Sequence, residues 1–149
     1  MEATLRPTET DDWPRFLGWL YEDREGLESF FGVDLDSEQA LIDALGRIVH
    51  QQANHTGLIH MAMVGDRVVG MAAITDVAYT ACLGHIYIEP TSRRYSLRVG
   101  KAGLALAKTL GFQVMYIRQH KDNKAATALN RFLGFQIHNP DTITMSKEL

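Results

Sequence analysis

The chain has 149 residues, 46% of them hydrophobic and 22% charged, which suits a single domain over residues 1–149 with a real core. No run approaches the roughly 18–20 apolar residues that cross a bilayer, the opening Met1-Glu2-Ala3-Thr4 lacks a secretory pattern, and the lone Cys82 excludes an internal disulfide or a paired-thiolate zinc site, so a cytoplasmic protein without membrane partners is expected. The net charge of −3 conceals an asymmetry: residues 1–76 hold 5 Lys/Arg against 14 Asp/Glu, whereas 77–149 hold 10 against 4, so the second half invites an anion.

An extended piece, Thr4 to Pro7, precedes several N-cap residues and then Trp13, Phe16, Leu17, Leu20 and Tyr21 at helical spacing, with Pro14 tolerated in the first turn. A second helix is expected after Asp36, which with Gln39 resembles a capping box, burying Leu41, Ile42, Leu45, Ile48 and Val49. The apolar runs Leu58 to Val64 and Val68 to Ile74 flank Gly65-Asp66-Arg67, which predicts a hairpin. A third strand, Leu83 to Ile88, must stop or splay at Pro90, which cannot donate to a ladder.

A polar, Arg-rich loop, Thr91 to Arg98, leads to a helix from Val99 to Leu110, a buried strand Val114 to Ile117, a helix from about Asn123 to Leu133, and strands near Phe135 to His138 and Thr142 to Met145. The order is β-α-α-β-β-β-α-β-α-β-β, an α+β fold with a mixed, mostly antiparallel sheet flanked by helices. The histidines His50, His55, His60 and His138 lack metal-ligand spacing, so no metal is expected.

Two stretches carry a family resemblance. Ile86-Tyr87-Ile88-Glu89-Pro90-Thr91-Ser92-Arg93 resembles the strand-to-loop entry of the GCN5-related N-acetyltransferases (GNAT), which has an aliphatic residue, any residue, Pro, two more, then Arg. Asn123, Ala126, Leu129 and the pair Gly134-Phe135 match that family's fourth-helix pattern, and the order of elements agrees along nearly the whole chain. The resemblance implies a GNAT-like fold and an acetyl-CoA-dependent transfer of an acetyl group to a small-molecule or peptide amine, by direct attack on the thioester. The acidic first half suits a cationic amine, and a homodimer is left open.

For coenzyme A (CoA), a diverging strand edge at Tyr87 and Ile88 would accept the pantetheine arm as an added strand. The loop Arg93, Arg94, Ser96, Leu97, Arg98 and Val99 would face the pyrophosphate at a helix N-terminus, with Lys101 nearby and Asn123 on the far helix. The family's Arg-x-x-Gly-x-Gly pattern is absent: its glycine positions fall on Ser96 and Arg98, or on Arg94 and Ser96. Gly100 and Gly103 read as helix packing against the sheet.

Acetyl transfer to an amine asks for a base and for an acid to protonate the leaving thiolate. His85 and Glu89 are the candidate bases, because alternation places Leu83, His85, Tyr87 and Glu89 on one strand face, where His85 and Glu89 could share a proton path. His120 is the runner-up. The family's usual acid, a Tyr seven residues after the helix Asn, is Asn130 here; Tyr95 and Tyr116 are the other phenols, and Cys82 reads as a buried small hydrophobe. The alternatives are a same-fold domain that binds CoA weakly or not at all and serves as a structural or regulatory partner, and a nucleic-acid module, the weaker of the two because the basic residues form no dense run.

Overall fold

The computed structural model describes residues 2–118, 123–139 and 144–149. In chain order these form β1 (Ala3–Pro7), α1 (Trp13–Glu22), α2 (Arg24–Phe31), α3 (Glu38–Ala53), β2 (Leu58–Val64), β3 (Arg67–Ala78), β4 (Ala81–Ile88), α4 (Ser96–Thr109), β5 (Val114–Arg118), α5 (Lys124–Phe132), β6 (Gln136–Asn139) and β7 (Thr144–Glu148). The strands make one seven-stranded sheet in the order β1-β2-β3-β4-β5-β7-β6. Every neighbouring pair is antiparallel except β4 and β5, so the fold is α+β with a mixed, mostly antiparallel sheet.

The β2–β3 hairpin turns at Gly65-Asp66, and Gly65 takes φ 61°, where an L side chain would be strained. Met61, Met71, Ala73 and Tyr87 project from one sheet face onto Phe16, Trp19 and Leu20 of α1, Leu27 and Phe30 of α2 and Leu41, Ala44 and Ile48 of α3. The opposite face packs Cys82, Met115 and Ile117 against Ala107 of α4 and Leu133 after α5, and Ile88 against Val99. Each fully buried large side chain of this kind contributes about 1.5–3 kcal/mol, so the two layers hold the sheet rigid between them.

Three expectations are corrected. The helix α2 was not foreseen: its eight residues contain Gly26, and its apolar face is legible only beside α1. The N-cap of α3 is Ser37, whose Oγ accepts from the N–H of Ala40 at 3.1 Å, rather than Asp36. The buried stripe of α3 is Leu41, Ala44 and Ile48, while Ile42 and Val49 are about half exposed, at 47% and 58%. The polar loop after β4 is instead helical: Pro90–Tyr95 form a 3-10 segment that runs directly into α4. Arg98 therefore lies in the first turn of α4, on the same helix as Lys101.

Candidate active site

The strand β4 pairs with β5 only over Ala81–Leu83 against Val114–Tyr116, and beyond Leu83 the two strands part. The backbone groups facing this opening follow from strand alternation. The carbonyl of Thr80 accepts from Gln113 and Val114, so the even-numbered residues turn their peptide groups toward β5. In agreement, Glu89 donates to Val69 on β3, the carbonyl of Tyr87 lies against Gly70, and that of Ile88 accepts from Arg93 Nε at 3.0 Å. Ile86 and Ile88 thus present backbone groups to the opening. The peptide groups of Tyr87 face β3, so of the expected pair only Ile88 lies on this edge.

A cleft of about 160 Å³ passes through the opening, from Ser29 and Phe30 of α2 on one face to Gly103 of α4 and Ala126 and Asn130 of α5 on the other, with His85 in its wall. Small residues keep it open. A methyl placed on Gly103 would meet nothing within 4 Å, so this glycine leaves space rather than close packing, whereas one on Gly100 would meet Leu133 Cδ1 at 2.7 Å. Asn123 also lines the cleft, and its side chain caps α5 by accepting from Ala126 N at 3.1 Å.

His85 is largely buried, edge-on to Phe30 with ring centroids 5.9 Å apart, and its Nε2 lies 2.9 Å from Thr75 Oγ1. Burial pushes its pKa below the ordinary imidazole value; Asp76 opposes that and Arg118 adds to it. The lowered pKa favours the neutral ring, the form in which a nitrogen can accept a proton.

Glu89 lies beyond the end of β4, in a separate polar hollow beside Trp19 and Arg6. Its carboxylate accepts from Trp19 Nε1 at 3.3 Å, Ser92 Oγ at 3.1 Å and Arg67 at 3.4 Å. Between His85 and Glu89 on the strand stands Tyr87, whose hydroxyl donates to Asp23 Oδ2 at 3.0 Å. No hydrogen bond joins His85 to Glu89 among the described residues. Burial and the Asp23 carboxylate raise the Tyr87 pKa far above its ordinary value, so this phenol keeps its proton.

Just past the end of β4, Arg93 reaches Ile88 with Nε and Asp23 with a second nitrogen at 3.5 Å, and Ser96 Oγ donates to the Arg93 carbonyl at 2.8 Å. The guanidiniums of Arg94 and Arg98 lie 4.6 and 5.5 Å from the centre of the Tyr95 ring. Leu97 and Val99 turn inward to the core. Because the 3-10 segment feeds α4 without a break, the Ser96 amide donates to the Arg93 carbonyl, so it is engaged within the turn.

Of the remaining candidates, Tyr116 is 41% exposed on β5, and Cys82 is buried, its thiol pushed up to about 11 by desolvation. His120 lies outside the described residues. Thr75 and Asp76, which meet His85, were missed by sequence reasoning; the sequence signal was a polar pair breaking the apolar run of β3. Among the described residues no helix is long and apolar enough to cross a membrane, and no group of three or more His, Cys, Asp or Glu side chains could hold a metal ion.

No family model and no curated protein matches the chain. Among solved structures it is similar to Mycobacterium smegmatis RimJ in complex with CoA-disulfide, at 12% identity and a TM-score of 0.81, covering 98% of this chain and 81% of that one. It is also similar to the Vibrio cholerae spermidine N-acetyltransferase in complex with CoA and spermine, at 18% identity and a TM-score of 0.76, covering 98% and 92%. A probable acetyltransferase of the GNAT family from Chromobacterium violaceum aligns at 18% identity and a TM-score of 0.79, covering 99% and 88%. At these identities the likeness lies in the fold, and the chain has the fold of the GCN5-related N-acetyltransferases.

Proposed function

We propose that the chain is an acetyl-CoA-dependent N-acetyltransferase acting as one domain in the cytoplasm, with an amine of cationic character as acceptor. The observation that carries this reading is the parting of β4 and β5 beyond Leu83, which opens a cleft through the sheet with His85 in its wall. Two of the similar structures are complexes with CoA, one of them with spermine as well.

The residues fit the narrow end of such a cofactor well. Ile86 and the N–H of Ile88, whose carbonyl is held by Arg93, offer an edge to an extended amide-bearing arm, and Gly103 leaves the width for it. At the anionic end the support comes from side chains: Arg93, Arg94 and Arg98 stand where the family resemblance implies a glycine-rich loop, and charge-assisted hydrogen bonds of about 1.5–3 kcal/mol each suit them to a pyrophosphate. Acetyl-CoA held there would supply an activated acyl group. In this assignment His85 takes the proton of the acceptor amine, and Asn130 donates a hydrogen bond to the leaving sulfur. Glu89 fixes the 3-10 segment to β3 and α1 and so positions the Arg-bearing turn; its separation from the cleft favours this over a role as base.

The replacement of an amide loop by a helical turn favours, as a second reading, a domain that binds CoA weakly without turnover. Calorimetry with CoA and acetyl-CoA, followed by thiol release with polyamine, peptide and aminosugar acceptors, separates the two. Binding with turnover supports the enzyme. Binding without turnover on any acceptor supports the second reading, and no binding at millimolar CoA removes both.

A further inference from the structure

We infer that Thr75 and Asp76 hold His85 with its proton on Nε2 and leave Nδ1 as the basic nitrogen of the cleft. Thr75 Oγ1 lies 2.9 Å from His85 Nε2 and donates to Asp76 Oδ2 at 3.0 Å. A hydroxyl has one proton, and an ionised carboxylate can only accept. With that proton directed to Asp76, Oγ1 must accept from His85, so Nε2 carries the hydrogen and Nδ1 carries the lone pair. No hydrogen bond engages Nδ1 among the described residues.

The backbone around the pair is built for this contact. Asp76 takes φ 50°, a left-handed conformation, and the β3–β4 register shifts between Thr75 and Ala78, so Asp76 falls at an irregularity of the ladder, where its carboxylate meets the Thr75 hydroxyl. The Asp76 N–H is held by Gln51 Oε1 of α3 at 3.0 Å. Thr75 itself is 5% exposed, which shields its hydroxyl from competing water.

His85 also separates two spaces, the cleft through the sheet and a second hollow of about 160 Å³ under α3, lined by Phe31, Arg47 and Asp76. Among the described residues, the charged groups around the ring are Asp76 from β3, Arg118 from β5 and Arg47 from α3, while α2 brings the uncharged Ser29, Phe30 and Phe31 to the two spaces. The role of Nδ1 rests on the acetyl-transfer reading, whereas the tautomer does not. In that role the amine's N–H bond breaks, its electron pair stays on nitrogen, and the proton ends on Nδ1, giving an imidazolium whose Nε2–H still faces Thr75. Thr75 and Asp76 are positioning residues.

Long-range proton–nitrogen spectra of histidine-labelled protein read the tautomer without any substrate. The parent should show His85 protonated on Nε2; Thr75→Val should change that population, and Thr75→Ser should restore it. With an acceptor in hand, Thr75→Val should lower kcat roughly ten-fold with KM nearly unchanged, part of the about 10²–10⁴ that a positioned base supplies. Asp76→Asn removes a group that raises the His85 pKa, so the acidic limb of kcat/KM should move to lower pH, and this variant serves should Thr75→Val fail to fold. A parent with the proton on Nδ1, or variants identical to it in spectrum and pH limb, would overturn the inference. The expected spectra without turnover on any acceptor would remove the catalytic role and leave the tautomer standing.

Discussion

Arg93 donates through Nε to the carbonyl of Ile88 at 3.0 Å, across the turn that ends β4. This carbonyl faces the side where β5 has already departed, so the guanidinium satisfies a strand edge that would otherwise be open, while its second nitrogen lies 3.5 Å from Asp23. Arg93 therefore ties the end of β4 to the α1–α2 junction.

Arg93→Ala should lower stability by about 1 kcal/mol, trimmed from the charge-assisted range because the side chain is 58% exposed, and so lower Tm by about 2–4 °C. Affinity for acetyl-CoA should fall with it. Arg93→Lys keeps the charge without the planar fork, so it should restore part of the affinity and little of the stability. Calorimetric melting and titration of the three proteins check this, and an unchanged Tm for Arg93→Ala would show that the Ile88 contact contributes nothing.

Tyr95 gathers Arg94 and Arg98 beside one ring, and both guanidiniums leave that ring in Tyr95→Leu. The variant should weaken acetyl-CoA several-fold and flatten the decline of affinity with salt, because two cations lose their shared orientation. Arg98→Ala should cost more than Lys101→Ala, since Arg98 lies a turn nearer the start of α4. Equal losses from the two alanine variants would place the anion further along the helix.

Gly103 and Gly100 lie one turn apart on α4 and should respond oppositely. With nothing within 4 Å of its missing methyl, Gly103→Ala should stabilise the helix by up to about 1 kcal/mol. Gly103→Leu should fold normally yet abolish acetyl-CoA binding by filling the cleft. Gly100→Ala should destabilise, because its methyl would meet Leu133 at 2.7 Å. Denaturant unfolding beside ligand titration distinguishes these; tight binding by Gly103→Leu would show that the cofactor does not run past α4.

The fold was legible wherever periodicity and punctuation agreed. Gly65-Asp66 between two apolar runs gave the hairpin, and Pro90 after Ile88 gave the end of β4. The site was legible only in part, because sequence alternation assigns a residue to a face and says nothing of the partner it meets there. Alternation placed His85, Tyr87 and Glu89 together, yet Tyr87 is occupied by Asp23, and Glu89 falls past the strand among Trp19, Arg67 and Ser92. The contact of His85 with Thr75 depends on a register between β3 and β4 and on a left-handed residue at Asp76, and neither leaves a local signal in an aspartate.

Asp12 receives two bonds from Arg6, at 2.7 and 2.9 Å, and one from the Glu9 amide at 2.8 Å. The hydrogen-bonded guanidinium holds its carboxyl below the usual carboxylate value. Its contribution to stability is therefore complete above the unfolded value of about 3.9 and drains away as the pH falls from there through the lower folded value. Asp12→Asn should cost about 1–2 kcal/mol at pH 7, discounted for the partial exposure of Arg6, and the gap to the parent should close in strong acid. Urea unfolding across pH measures this; a gap independent of pH would assign the loss to the Glu9 cap alone.

Asn130 lines the cleft from α5, across from His85 on β4, at the place where the family resemblance implies a tyrosine. A thiolate leaving the acyl carbon needs a proton, and an amide can donate a hydrogen bond to sulfur without giving one up. If solvent supplies that proton and protonation limits the rate, Asn130→Tyr should raise kcat, approaching the lower end of the about 10²–10⁴ that a positioned acid contributes, and should add a basic limb to the kcat profile where the phenol ionises. Asn130→Ala removes the hydrogen bond and should lower kcat. Thiol release measured across pH for the parent and both variants decides between these roles. Alanine equal to the parent with no gain from tyrosine would show that position 130 takes no part in departure of the thiolate, and would move the search for a donor to Tyr95, Tyr116 or bulk water.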